Sequence, residues 1–227
     1  PKPNTVPNRA ENTEMTAASV GEWMRRYKIP AYDETTGKGL VRHVYVRVNQ
    51  KGESLCCVVL NGKQAPREPE LAAYVCAAVP RTVGVLVNSN TKRGNVILGE
   101  KYRTLWGQDY LMDTLCGLTF KLSVPSFYQV NHDQAEVLYG RALAYAGLTG
   151  AETVLDLYCG IGTITLCLAK RAGRVIGAEI VPAAIRDAKE NAARNHIENA
   201  EFFCGDAAEV AAKLEAEGLR PDVITVD

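Results

Sequence analysis

No apolar run in this 227-residue chain approaches the roughly 18–20 residues needed to cross a bilayer, because charged side chains interrupt each run early. No basic-then-apolar leader opens it, so nothing directs it to secretion. Cysteine occurs seven times, yet never as Cys-x-x-Cys, never in Cys…His ligand spacing, and in odd number. That argues against a disulfide framework and a zinc site, and free thiols in this number fit a reducing cytoplasm. Internal repeats and low-complexity segments are missing too. The first residue is Pro1 rather than Met, which reads as a fragment or a processed product. What remains is ordinary globular composition, 47% hydrophobic and 23% charged, enough for one large domain or two small ones.

Net charge is zero but unevenly spread. Residues 1–125 hold 17 Lys and Arg against 11 Asp and Glu, a balance of +6, and residues 126–227 hold 9 against 15, a balance of −6. A basic first half fits either a nucleic-acid-facing module or solvated faces of ordinary elements.

Residues 1–14 are rich in Pro, Asn and Thr and read as a linker. Residues 15–27 then set Val20, Trp23, Met24 and Tyr27 on one helical face. Val41–Val48 alternates and reads as a half-buried strand; Ser54–Leu60 is a β-branched strand ending at the turn Asn61-Gly62. A short helix around 68–78 and strands near 82–89, 96–99, 110–114 and 117–122 complete an α+β domain over 15–125, with antiparallel strands. After Pro125 the style changes. Asn131 with Gln134 is a helix-start signal, followed by Ala135, Leu138, Ala142 and Tyr145 as an apolar stripe. Strands at 153–157, 174–178, 201–204 and 222–226 alternate with helices at 163–171, from Pro182, and at 207–217. This is a parallel α/β sheet of Rossmann-like type, unfinished at its fourth strand, where the chain stops at Asp227.

The chemistry concentrates in Val154-Leu-Asp-Leu-Tyr-Cys-Gly-Ile-Gly162, an apolar strand running into a glycine turn before a helix. Glycines let a backbone approach a ligand closely, and Glu179 ends the next strand, where a carboxylate accepts from both hydroxyls of a ribose. A nucleoside-containing cofactor follows. A dinucleotide fingerprint would place its third glycine at 165, where Thr165 stands. Asp156, at the strand end, suits the cationic amino-acid end of S-adenosylmethionine (SAM) and opposes a pyrophosphate. The residues favour SAM over NAD.

Ser126-Phe-Tyr-Gln-Val-Asn131, the stretch Leu155 to Thr163, Gly177-Ala-Glu-Ile-Val181, Asn191-Ala…Asn195 and Gly205-Asp206 resemble, in that order, the RNA 5-methyluridine methyltransferase family. Tyr32 to His43 is similar to the central domain of its 23S ribosomal-RNA branch. A Tyr at position 158, where the SAM turn usually has its first glycine, is a mark of that family. The resemblance implies a SAM-dependent enzyme that methylates carbon 5 of a uridine in RNA through a Cys–uracil adduct. It implies cofactor contacts from Gln129, Tyr158, Glu179, Asp206 and Asp227, with Thr163 assisting. It also implies that the nucleophilic Cys and the catalytic base follow Asp227, so no catalytic residue is expected in this chain, which alone should not turn over. The iron–sulfur cysteines of the ribosomal branch would precede Pro1, so neither cluster nor metal is expected from these residues. A transfer-RNA enzyme and a non-catalytic Rossmann RNA-binding protein are the alternatives; a small-molecule methyltransferase is disfavoured by the basic first half.

Plainer roles suffice elsewhere. Cys159 fits its turn by small size, and Cys56, Cys57, Cys76, Cys167 and Cys204 read as packed small hydrophobes. His132 reads as a surface or capping residue. His43, Arg42, Arg47 and Lys38 form either an RNA-contacting face or a solvated strand face, and Lys92-Arg93 is equally open.

Overall fold

The computed structural model describes residues 9–226, so Pro1–Asn8 and Asp227 lie outside the described residues. The chain divides into two compact units. The first comprises residues up to Leu111 with Ser123–Pro125; the second comprises Met112–Leu122 and everything from Ser126 onward.

In the first unit, helix α1 spans Arg9–Arg26 and begins within the segment expected to be a linker. Residues 9–14 are helical because this turn has an anchor: Asn12 is buried and its Nδ2 donates to the Gly52 carbonyl at 2.9 Å. Strands β1 (Val41–Val48), β2 (Ser54–Leu60), β3 (Thr82–Ser89) and β4 (Lys101–Gly107) lie side by side in that order. The sheet is mixed rather than antiparallel. β1/β2 and β3/β4 are antiparallel, but β2 and β3 run parallel, joined by helix α2 (Glu68–Ala78). The sequence of β2 carries the reason: all seven of its residues are buried, the pattern of a central strand enclosed on both faces. Helices α1 and α2 cover one face, where Val20 and Trp23 meet Val58, Leu71, Val75 and Val85. The Trp23 indole donates to the Arg67 carbonyl at 2.9 Å.

A strand expected at 96–99 is instead a loop, and the edge strand β4 follows it. Two buried asparagines take the bonds a strand partner would have made. Asn88 donates to Gly99 O (2.9 Å) and accepts from Gly99 N–H (2.7 Å), while Asn90 donates to Val96 O (2.6 Å) and Ile97 O (3.0 Å).

In the second unit, strands β7 (Thr153–Leu157), β8 (Arg174–Glu179), β9 (Ala200–Cys204) and β10 (Val223–Val226) form a parallel sheet ordered β10-β7-β8-β9. Alternate residues feed opposite faces. Val154 and Val175 pack with Leu168 of α4 (Thr163–Ala169), whereas Leu155 and Ile176 pack with Val210 and Leu214 of α6 (Ala207–Ala216). Helix α5 (Pro182–Arg194) opens on its proline, at the position where the missing N–H costs nothing. Helix α3 (His132–Ala146) is capped by Asn131, whose side chain accepts from Gln134 N–H. Its buried face is not the expected stripe. His132, Ala135 and Tyr139 are buried, whereas Leu138 is half-exposed and Tyr145 is 87% exposed. The rotation is set by two polar tethers, Tyr139 Oη to Thr163 Oγ1 (2.9 Å) and His132 Nε2 to Thr114 O (2.6 Å). His132 is therefore a packed residue, not a surface one.

The hairpin β5 (Tyr110–Leu115) and β6 (Leu118–Ser123) turns at Cys116 and Gly117, both with positive φ. Most of it groups with the second unit, although composition shifts only after Pro125. Asparagine side chains of α5 explain this: Asn195 accepts from Thr119 N–H and donates to Thr119 O, both at 2.8 Å, and Asn191 accepts from Lys121 N–H at 2.8 Å. The free edge of β6 is thus paired by side chains rather than by a strand.

Among the described residues no helix is long and apolar enough to cross a membrane, and no group of His, Cys, Asp and Glu is placed to hold a metal.

Candidate functional site

The carboxyl ends of β7 and β8 bring two of the expected cofactor residues, Tyr158 and Glu179, to neighbouring strand ends. β7 ends at Leu157, and Tyr158 then takes φ +63°, a left-handed backbone normally left to glycine. Gly160 (φ +55°) and Gly162 (φ +82°) repeat the conformation, so three of five consecutive residues are left-handed. The two glycines differ in surroundings. A Cβ on Gly162 would press on the Phe202 ring at 3.2 Å, whereas a Cβ on Gly160 would meet nothing within 4 Å. Gly162 is needed for packing, and Gly160 leaves its backbone facing open space. Tyr158 is 55% exposed beside it.

Glu179 ends β8, one strand over. Its Oε2 accepts from Gly160 N–H (3.1 Å) and its Oε1 from Val181 N–H (2.9 Å). One carboxylate therefore ties the glycine bend to the loop after β8, and both oxygens are already oriented as acceptors. A ribose diol is the kind of group that this arrangement can take.

Asp156 does not face a ligand, contrary to the expectation from its position. It is 1% exposed, with Oδ2 accepting from the Thr165 hydroxyl and Oδ1 from the Thr225 hydroxyl (2.7 Å). Thr165, which stands where a dinucleotide fingerprint has glycine, is there as a partner for this buried carboxylate, which without hydroxyl donors would be costly to desolvate.

Asp206 is exposed and is the N-cap of α6; its Oδ1 accepts from Ala208 N–H (2.9 Å) and Glu209 N–H (3.2 Å). Gln129 is half-buried in the segment before α3, which is fastened to α5 by Ser126 Oγ donating to Asp187 Oδ2 at 3.1 Å. Asp227 lies outside the described residues.

Cys159 is buried, and burial, with Asp156 and Glu179 nearby, pushes its thiol far up, which suits packing and not nucleophilic attack. Its Sγ sits where a Cβ on Gly177 would fall, at 2.8 Å. Burial likewise pushes up Cys56, Cys57 (to about 12) and Cys167. Cys204 departs from the packed-hydrophobe expectation: it is exposed at the end of β9, with Sγ 3.7 Å from Ile180 O.

Two arginines of β1, expected on either an RNA-contacting or a solvated face, are held within the first unit. The Arg42 side chain is 1% exposed, lies 4.5 Å over the Tyr32 ring, and donates to Asn90 O (3.0 Å) and Lys92 O (2.8 Å). Arg47 donates to Val124 O at 3.2 Å. Lys92 pairs with Glu100 at 3.0 Å, and Lys38 is exposed.

The residue that sequence reasoning missed is Asn191. It is fully buried, and its Nδ2 donates to the Ile161 carbonyl inside the glycine bend at 3.3 Å. Its presence in the matched Asn191…Asn195 pair was the signal available; a polar residue on the inward face of a helix needs a partner.

Residues 148–227 match the family described as a methyltransferase domain. Two relatives are similar along nearly all of the chain. An uncharacterized RNA methyltransferase of Halalkalibacterium halodurans is 44% identical over 218 residues, 96% of this chain and 48% of that protein. One of Clostridium acetobutylicum is 42% identical over 209 residues, 92% of this chain and 45% of that protein. The chain thus spans about half the length of the curated relatives it matches. Among solved structures, the tRNA (uracil-54, C5)-methyltransferase of Pyrococcus abyssi in complex with S-adenosyl-L-homocysteine matches with TM-score 0.69 at 23% identity, covering 85% of this chain and 46% of that one. The M. jannaschii tRNA m1G37 methyltransferase matches with TM-score 0.50 at 15% identity, covering 88% and 61%. These likenesses establish the fold: a mixed α/β chain whose parallel sheet is that of the SAM-dependent methyltransferases, as expected from the sequence.

Proposed function

We propose that this chain is the cofactor-binding part of a SAM-dependent RNA methyltransferase that modifies carbon 5 of a uridine, with 23S ribosomal RNA as substrate, in the cytoplasm. The observation that carries the reading is the reach of the similarity: identity of 44% to a protein named as an RNA methyltransferase extends over 96% of the chain, the first unit included. The motif resemblance supplies the uracil carbon and the ribosomal branch. Transfer RNA is the second reading, favoured by the substrate of the Pyrococcus abyssi enzyme whose fold this chain shares.

The residues fit the cofactor. Open space above Gly160, a half-exposed aromatic at Tyr158 and a carboxylate with two oriented oxygens at Glu179 suit a ribose-bearing ligand laid across the bend. In this reading Glu179 holds the ribose hydroxyls, Tyr158 packs beside the cofactor and Gln129 reaches over from the segment before α3. Asp206, whose Oδ1 caps its helix, turns Oδ2 to the adenine amino group in the same reading. The place of Asp227 near the reacting methyl rests on the resemblance alone. SAM, when bound, supplies an electrophilic methyl. Carbon 5 of uracil is a weak nucleophile until a thiolate adds at carbon 6. Buried, high-pKa Cys159 does not suit that step, and we assign the thiolate and the base to residues other than those described here.

The test is mass spectrometry of RNA from cells with and without the gene. Loss of 5-methyluridine from one position of 23S ribosomal RNA is expected. Loss from transfer RNA selects the second reading, and loss of any other methylated base overturns both.

A further inference from the structure

Asn191 sits on the inward face of α5 with no exposed surface. Its two polar ends go to different places: Nδ2 to Ile161 O in the glycine bend, Oδ1 to Lys121 N–H on β6. One side chain therefore joins the bend to the strand that leads into the segment carrying Gln129.

Backbone bonds and the buried Ile161 side chain hold the bend as well. Cys159 N–H donates to Ala178 O, and Gly162 N–H turns back on Cys159 O. Gly160 N–H goes to Glu179, the carboxylate that is also asked to grip the sugar. That carboxylate serves the ligand as well in this reading, whereas the Asn191 amide has no exposed surface and meets no ligand. Of the three left-handed residues Tyr158 alone is not a glycine, and a non-glycine in that conformation persists only when its surroundings over-determine it.

We propose that Asn191 is a positioning residue for the cofactor: it fixes the Ile161 carbonyl so that the bend keeps its shape as Glu179 takes the ribose, and it sets the bend against β6. This rests on the reading that SAM occupies the bend. Asn195, one turn on, supplies the contrast. It bonds Thr119 N–H and O on the same hairpin but makes no bond to the bend.

The experiment compares Asn191→Asp, Asn191→Ala, Asn191→Ser and Asn195→Ala in the full chain by calorimetric titration with S-adenosylhomocysteine, and by hydrogen exchange without ligand. Folded Asn191 variants are expected to raise Kd at least ten-fold and to speed exchange in 158–163. Asn195→Ala should speed exchange only in 118–122 and keep Kd within two-fold. The aspartate variant buries a charge, and if it does not fold the alanine and serine variants decide. Unchanged Kd and unchanged bend exchange in a folded Asn191 variant would overturn the proposal alone. Failure of the unaltered chain to bind S-adenosylhomocysteine would remove the cofactor reading and the proposal together.

Discussion

Both units hold their irregular segments with side-chain amides that reach for backbone, but they reach toward different ends. In the first, Asn88 and Asn90 fasten residues 96–99 beside the edge strand β4. In the second, Asn191 and Asn195 fasten a hairpin, and Asn191 goes on to the glycine bend. The same device that merely replaces a strand partner in one unit becomes, in the other, part of the frame of the proposed ligand site. Arginines divide in the same way from expectation: Arg42 and Arg47 are spent on carbonyls inside the first unit.

The contrast can be broken where it is strongest. Asn88 is fully buried and makes three bonds, to Gly99 N–H, Gly99 O and Lys101 O. Asn88→Leu should strand those groups and cost about 3 kcal/mol in urea unfolding, with no change in S-adenosylhomocysteine affinity. An altered affinity would mean that the first unit's asparagines also serve the site. Asn195 is itself only half-buried, and about 1–2 kcal/mol is expected for Asn195→Ala by the same measurement. A larger loss than for Asn88→Leu would reverse the ranking by burial. The smallest effect belongs to an exposed version of the device. Glu152 accepts from Thr149 N–H, Thr149 Oγ1 and Gly150 N–H, and the Thr149 contacts hold its carboxyl down to about 2, from an ordinary 4.5. A lowered folded value means that its stabilisation is present above pH 4.5 and is lost as pH falls toward 2. Glu152→Gln should therefore flatten the melting temperature against pH slightly in that window, and an unchanged profile would show that the loop forms without it.

Much of this was legible in the sequence because it is written in periodicity. The six apolar residues of β2, the Asn131 cap, Pro182 at the start of α5 and the strand–glycine–strand–Glu179 series all report local patterns. What escaped depends on partners distant in sequence. Nothing near 96–99 says that Asn88 and Asn90 will consume its backbone bonds. A short apolar run does not say whether its neighbour will run parallel, so β2 and β3 were misjudged. The face of α3 was set by tethers to Thr163 and Thr114, which outrank an apolar stripe of four residues. Asp156 stands at the strand end as a ligand residue would, and only the positions of Thr165 and Thr225 reveal that it turns inward. The proposed site was thus readable at Glu179 and the bend, and unreadable at Asn191, whose bond to Ile161 O is seen only in the structure.

Asp156 has one more effect, on folding rather than on binding. It lies opposite Thr225 across β7 and β10. Sliding β10 by one position would bring Ile224 or Val226 alongside the carboxylate and take the threonine hydroxyl away from it. The buried Asp156 side chain, bonded to Thr225 across the pair, ties β10 to this alignment.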